Sequence, residues 1–313
     1  VTLTPPDPSA RAERARKIAE QPFTVVTTSP GLFRGALTSL TDLWSHRELL
    51  SRLVGREVKA RYKDSSLGMV WALLRPLMQL LVYYFAIGQV LGAARAVPNF
   101  AIFVFIGLTL WTLWAEILAT STTSILSNAG LVKKIYVPRE VFPLSTVGSG
   151  LVNFALQSAV LIIAIGVISE FRWSADLLLV PLALATLLIF ATAIGLILSA
   201  VNVYLRDVQH FVDVYLVVFF WVSPIVYPFT FVSNLIGGTW LEQVYLANPI
   251  TVCILAMQKA LWADGTDSPT GIEQVWPDAL DLRLLAMFGI SLVVLFLAQR
   301  LFARLQGNFA QEI

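Results

Sequence analysis

Apolar residues run through this chain in six long blocks, and most of the positive charge collects in the short polar stretches between them. The blocks cover 70–91, 100–125, 141–168, 177–201, 211–232 and 282–305. Each is long enough, or nearly so, for a bilayer whose hydrocarbon core needs about 20 helical residues. The pattern predicts an all-α integral membrane protein with six transmembrane helices. Ahead of the first block, residues 41–63 repeat at helical spacing. Leu43, Leu50, Leu53, Val54 and Val58 share one side, while Arg52, Arg56, Lys59 and Lys63 recur on the other. This is expected to be an amphipathic helix in the membrane interface. Between the fifth and sixth blocks, residues 250–262 are apolar but too short to span. Asn248-Pro249 supplies a cap and a proline suited to the first helical position. Together with 235–246, this stretch is expected to form a re-entrant pair on the outer side, guarding a pathway, because non-helical backbone at membrane depth must be covered by protein or line a cavity.

Composition and charge sharpen the picture. The chain is 57% apolar and 13% charged, against about 45–50% and about 25% in soluble domains. Of its 22 Lys and Arg, only Arg95, Arg172, Lys259 and Arg283 fall on the side opposite the N-terminal region. The positive-inside bias therefore puts both termini in the cytoplasm of a multi-pass plasma-membrane (bacterial inner-membrane) protein. No apolar run precedes residue 40, so no signal peptide is expected. Residues 1–40 lack apolar periodicity and read as a disordered cytoplasmic tail. The domains expected are that tail, the interface helix at 41–68, and the six-span unit at 69–313.

The most informative polar stretch is NAGLVKKIYVPREVFPL at 128–144. Lys133, Lys134 and Arg139 mark it as cytoplasmic. Leu131, Val132, Ile135, Tyr136 and Val137 are too apolar for a free loop, and Pro138 ends any helix there. A short amphipathic helix with an uncovered apolar side is expected. It is either a connector resting on the membrane surface or a docking element for a soluble partner.

Catalytic patterns are missing from the sequence. It contains no GxxxxGK[ST], GxSxG, HExxH or CxxC, and its single cysteine, Cys253, leaves no internal disulfide or cysteine-based metal site. No metal site and no nucleic-acid binding are expected. Arg75 and Glu116 are the notable charges inside spans. Counted from the outer ends of their helices, both lie about 24 Å down. They are candidates for a structural ion pair, unless Arg75 snorkels to the headgroups. Tyr83, Tyr84, Trp111, Trp114, Phe220, Trp221 and Tyr227 are candidates for a path along which flat apolar faces meet sugar rings. Each taken alone is a belt or packing residue.

Arg61-Tyr62-Lys63, Ser65-Ser66-Leu67-Gly68, Trp71 and Pro76 resemble the RYxxSxLGxxWxxxxP pattern of permease subunits of polysaccharide-exporting ABC transporters, of the O-antigen, teichoic-acid and lipid-linked galactan type. Tyr136 to Glu140 with Pro143, Arg206-Asp207, Ser223-Pro224, Asn248-Pro249 and the closing Phe302…Phe309-Ala310 agree in order and spacing. The resemblance runs from Thr41 to the C-terminus. It implies a homodimer that moves lipid-linked polysaccharide, galactan or O-antigen-like, outward across the plasma membrane. It also implies two copies of a separate P-loop ATPase that bind the ATP and Mg, so that this chain carries no cofactor and is not an enzyme. The ATPase would dock on the loop bearing Leu131, Lys133, Lys134, Ile135, Tyr136 and Arg139, with a second contact at Arg206, Asp207 and His210. The competing function is a polytopic membrane transferase acting on lipid-linked glycans. That would need a cluster of acidic or His residues at one membrane face, and the sequence shows none.

Overall fold

A computed structural model describes residues 44–63, 68–90, 92–134, 137–168, 173–262 and 274–313. Every element among the described residues is helical. Helix α1 (Arg47–Tyr62) precedes α2 (Trp71–Tyr83), which continues as a π-helix over Tyr84–Val90. A short α3 (Ala93–Ala96) leads into α4 (Phe100–Ser127), and α5 (Ala129–Lys134) into α6 (Val141–Ile168). Then come α7 (Leu179–Tyr204), entered through a 3-10 turn at Ala175–Leu178, and α8 (Val208–Val222). Helices α9 (Phe229–Ile236), α10 (Trp240–Leu246) and α11 (Pro249–Leu261) lie at the far end from α1. Finally α12 (Leu280–Leu305) runs back, followed by a 3-10 turn at Gln306–Asn308 and α13 (Phe309–Glu312).

Five of these segments are long and apolar enough to cross a membrane: Trp71–Val90, Phe100–Ser127, Val141–Ile168, Ala175–Tyr204 and Leu280–Asn308. Helices α10 and α11 would make a sixth only if counted as one span, and they bend by 81° at the break between them. The expected fifth span is shorter than its apolar block. Helix α8 stops at Val222 after 15 residues, about 22 Å of rise. The cause is local. Pro224 has no N–H to continue the helix, and the Ser223 hydroxyl donates back to the Phe219 carbonyl at 2.8 Å. The block continues after this break as the separate helix α9.

Helix α4 is the centre of the bundle, with 78% of its apolar window buried against 11% for the α2 span and 17% for α12. It packs on α6 and α7 along its length, and on α2, α8 and α11. Gly107 permits one of these approaches, since a Cβ there would sit 3.1 Å from the Ile225 Cα, at the break after α8. The hydroxyls of Thr109, Thr112 and Thr122 donate to carbonyls four residues earlier at 2.6–2.7 Å, so these polar groups cost little inside an apolar helix.

The start of α11 is built as its sequence suggests, while the expected partner at 235–246 is divided between the end of α9 and α10. The Asn248 side chain accepts from the Ile250 N–H at 3.2 Å, with Pro249 at the first position. Helix α11 is sheathed by its own subunit, with every residue from Ile250 to Met257 buried. Gln258 donates to the Pro224 carbonyl at 2.9 Å, and the Trp262 indole donates to the Pro98 carbonyl at 2.8 Å. Lys259 reaches Asp176 at 3.2 Å and Asp281 at 3.7 Å, tying its end to the starts of α7 and α12.

Candidate functional site

The chemistry collects where α1 lies across α2, α4 and α6. Helix α1 is packed on protein rather than resting only on lipid. Leu53 is buried, and the close approach of Val54 is possible because residue 148 on α6 is glycine. Three polar contacts hold the helix. Ser145 donates to the Glu57 carboxylate at 2.6 Å, Arg56 donates to the Asn128 side-chain oxygen, and Arg61 pairs with Glu116. Arg52, Lys59 and Lys63 stay exposed.

Glu116 pairs with Arg61 and not with the expected Arg75. Among the described residues, Glu116 takes Arg61 from α1, and its two carboxylate oxygens also accept from the Asn153 amide at 2.8 and 3.0 Å. Depth alone pointed to the neighbouring span. The last turn of α1, which reaches in from below, supplies the nearer guanidinium. Arg75 stands on the opposite wall, exposed, in the same chamber.

That chamber holds about 670 Å³ between α1, α2, α4 and α6. Its walls carry Arg61, Arg75 and Glu116, the amides Gln79, Asn153 and Gln157, the hydroxyls Thr112 and Thr120, and the rings of Trp71 and Trp111. The Thr112 hydroxyl and the Gln157 side-chain amide lie 2.8 Å apart, and Gln79 donates to the Tyr83 hydroxyl at 3.0 Å. A second hollow of about 510 Å³ adjoins it through Arg61 and Thr120, lined by Arg56, Ser124, Ser127 and Asn128. A third, of about 650 Å³, lies against Arg52, Arg56, Lys59 and Lys63. A row of hollows thus leads from the basic face of α1 into the bundle. The sequence signal for it was diffuse, since Gln79, Thr112, Asn153 and Gln157 are ordinary residues that only the fold brings together.

The candidate aromatic path divides. Tyr83, Trp111, Phe220 and Trp221 form one cluster across α2, α4 and α8. Tyr83 stacks on Phe220 at 5.6 Å, and Trp111 meets the same ring edge-on at 5.7 Å. Trp111 links the cluster to the chamber. Three rings lie elsewhere. Trp114 is buried and stacked on Phe190 at 5.4 Å, which makes it packing between α4 and α7. The Tyr227 hydroxyl donates to the Trp221 and Val222 carbonyls at 2.9 and 2.8 Å, closing the end of α8. Tyr84 meets Phe85 edge-on at 5.8 Å, away from that cluster.

The loop between α4 and α6 differs from its expectation in one respect. The apolar side of α5 is largely covered by its own chain, with Val132 buried and Leu131 packed on the same cluster as Phe142 and Phe302. Lys133 is exposed. The Lys134 side chain, Ile135 and Tyr136 lie outside the described residues, as do the 1–40 tail and Ser65–Leu67 of the N-terminal motif. Arg139 lies over the Phe309 ring at 5.7 Å, and buried Glu140 accepts from Gln299 at 3.3 Å. Arg206, Asp207 and His210 stand exposed in and just after the turn between α7 and α8. Among the described residues no group of three His, Cys, Asp or Glu side chains could hold a metal ion.

Apolar helices of spanning length around a polar chamber make this a multi-pass membrane protein. Residues 48–262 match the family model described as ABC-2 type transporter, and the chain belongs to that family. It is 31% identical over 273 residues to the O-antigen export system permease protein RfbA of Myxococcus xanthus, covering 87% of this chain and 98% of that protein. A Klebsiella pneumoniae protein of the same name is 29% identical over 222 residues, covering 70% and 82%. The polysialic acid transport protein KpsM of Escherichia coli is 25% identical over 251 residues, covering 79% and 89%.

Proposed function

We propose that this chain is the permease subunit of an ATP-driven exporter that moves lipid-linked polysaccharide from the cytoplasmic to the outer side of the plasma membrane. The observation that carries the reading is the chamber at α1. Its amides and hydroxyls beside the faces of Trp71 and Trp111 suit sugars, and it lies in a chain whose relatives are named for O-antigen export and polysialic acid transport. In this reading both termini are cytoplasmic, two copies form the transport unit, and two copies of a separate P-loop ATPase bind ATP and Mg. The ATPases dock at α5 and the following loop, with Arg206, Asp207 and His210 as a second contact. The test removes this chain from its host and follows surface polysaccharide. Lipid-linked glycan should accumulate on the inner side and return outward when the chain is restored together with its ATPase. Unchanged surface glycan in the deletion strain refutes the reading.

A further inference from the structure

Far from the chamber, the last turn of α11 gathers the polar contacts that fix the place of that helix. Lys259, in this turn, reaches Asp176 at 3.2 Å and Asp281 at 3.7 Å. Asp176 stands in the first turn of the 3-10 segment that opens α7, and Asp281 in the first turn of α12. A base at a helix C-terminus and acids at helix N-termini each suit the backbone dipole beside them. The three charges are therefore held ready for one another. The two carboxylates are unequal. The Asp176 side chain is 28% exposed and the Asp281 side chain 66%, so water weakens the second contact more.

Burial does not fix α11 in the same way. Ile250 to Met257 are covered by protein, but lipid tails are as apolar as those side chains, so apolar contact alone gives a membrane helix little reason to keep one seat. The polar stripe of the helix is loosely held. Asn248, Thr251 and Gln258 recur at helical spacing on one side. Asn248 Nδ2, Thr251 Oγ1 and Gln258 Oε1 are buried, and no protein group meets them. The Gln258 amide ties the stripe to the Pro224 carbonyl at 2.9 Å. The stronger fastening is at the last turn. There Lys259 joins α11 to α7 and α12, which pack closely on each other, and the Trp262 indole meets the Pro98 carbonyl just before α4.

We propose that Lys259 is a positioning residue that latches α11 in its seat. Its bridge to Asp176, backed by Asp281, is the latch. When the bridge is broken, α11 leaves its seat at the outer end while α4, α6 and α7 stay packed. Lys259 acts through the placement of α11 and needs no contact with anything transported. The latch stands whether or not the chain exports glycan, and only what passes when α11 moves rests on the export reading.

The chain carries its own reporter, since Cys253 is its single cysteine and lies fully buried in α11. The test follows the reaction of Cys253 with N-ethylmaleimide in the full chain in phosphatidylcholine nanodiscs, well below the unfolding temperature. The labelling rate tracks local opening of α11. Lys259→Gln should raise it at least tenfold, about 1.4 kcal/mol. Lys259→Arg should stay near the wild-type rate, because both acids keep a cation. Asp176→Asn should raise the rate more than Asp281→Asn, as their distances and exposure rank them. A control moves the reporter to the inner half of α7, with Ser199→Cys at a buried position and Cys253→Ala. Adding Lys259→Gln should leave position 199 protected. Wild-type protection of Cys253 in Lys259→Gln overturns the proposal, and if that variant does not fold, wild-type protection in Asp176→Asn overturns it. Loss of protection at position 199 as well as at Cys253 also overturns it, because Lys259 would then serve general stability. No glycan and no ATPase take part, so failure here leaves the export reading standing, and failed export leaves the latch standing.

Discussion

Gly148→Ala should loosen α1 from the bundle, and a change in Val54 should repair it. A Cβ at position 148 would lie 2.6 Å from Val54 Cγ2 and 3.4 Å from its Cγ1. Both atoms belong to a β-branched side chain with little rotamer freedom in a helix. The clash is therefore relieved by moving the α1 backbone rather than by turning a side chain. Overpacking of this kind costs about 1–3 kcal/mol. The displacement would strain the Ser145–Glu57 bond at 2.6 Å, one turn along α1 from Val54 and three residues before Gly148 on α6, which places the cost toward the upper part of that range. Detergent-solubilised protein can be unfolded with increasing SDS, and a spin label at exposed Lys59 reports the freedom of α1. Gly148→Ala should lower stability and sharpen the spin-label spectrum. Val54→Ala alone removes two methyls from a half-buried position, a loss of about 0.5–1.5 kcal/mol by analogy with a small core truncation. Combined with Gly148→Ala it should restore order, with a coupling energy of about 1 kcal/mol or more. Additive effects of the two changes would show that α1 is not seated on α6 through this contact.

Three further outcomes follow from the described contacts. Cys253 is fully buried in α11, so its thiol should resist a membrane-permeant maleimide until the protein is denatured; labelling within minutes in the native state would show that α11 opens. For the same reason, cysteines placed in α11 should fail to crosslink two copies, whereas cysteines at Leu235 or Trp240, 84% and 72% exposed, should react readily. At the opposite end, Phe309→Ala should destabilise by about 3–5 kcal/mol as a buried aromatic truncation, and Arg139→Ala by only about 1–2 kcal/mol, the worth of a half-buried cation–π contact; equal losses in SDS unfolding would refute that ranking.

The sequence carried the long elements and missed much of how they meet. Spans two and three were legible because Phe100–Ser127 and Val141–Ile168 are unbroken apolar runs closed by polar residues. The Asn248-Pro249 start of α11 was legible because capping chemistry is local. The end of span five was not, because Ser223-Pro224 sits inside a longer apolar block and periodicity cannot show where a proline will stop a helix. The ion pair was misassigned for a related reason. Helix positions give depth along a span but not which neighbouring side chain approaches laterally, and Arg61 comes from a helix that crosses the bundle instead of running with it. Trp114 and Tyr227 looked like path residues because composition cannot separate an aromatic that faces a cavity from one that stacks on Phe190 or closes a helix end.

The elements at the α1 end are held in one packed body, and this bears on how transport would be driven in the proposed exporter. Helix α5 and the loop after it are tied by burial. Val132 sits in one cluster with Phe142, Val203, Phe302 and Phe309, Arg139 covers Phe309, and Glu140 meets Gln299 on α12. The Tyr204 hydroxyl donates to the Leu305 carbonyl at 2.7 Å, joining the end of α7 to the end of α12. Asn202 donates to the Thr122 carbonyl at 3.0 Å, joining α7 to α4. Packed interiors are nearly incompressible, so in the proposed exporter a push at α5 would move α12, α7 and the lower part of α4 together. Helix α1 belongs to the same body. Leu53 is buried in that cluster with Leu49 and Leu50 packed against it, Val54 fits against Gly148 on α6, and Glu57, Arg56 and Arg61 add polar contacts. A push at α5 would therefore carry α1 with it, because a buried apolar face does not exchange with water at small cost.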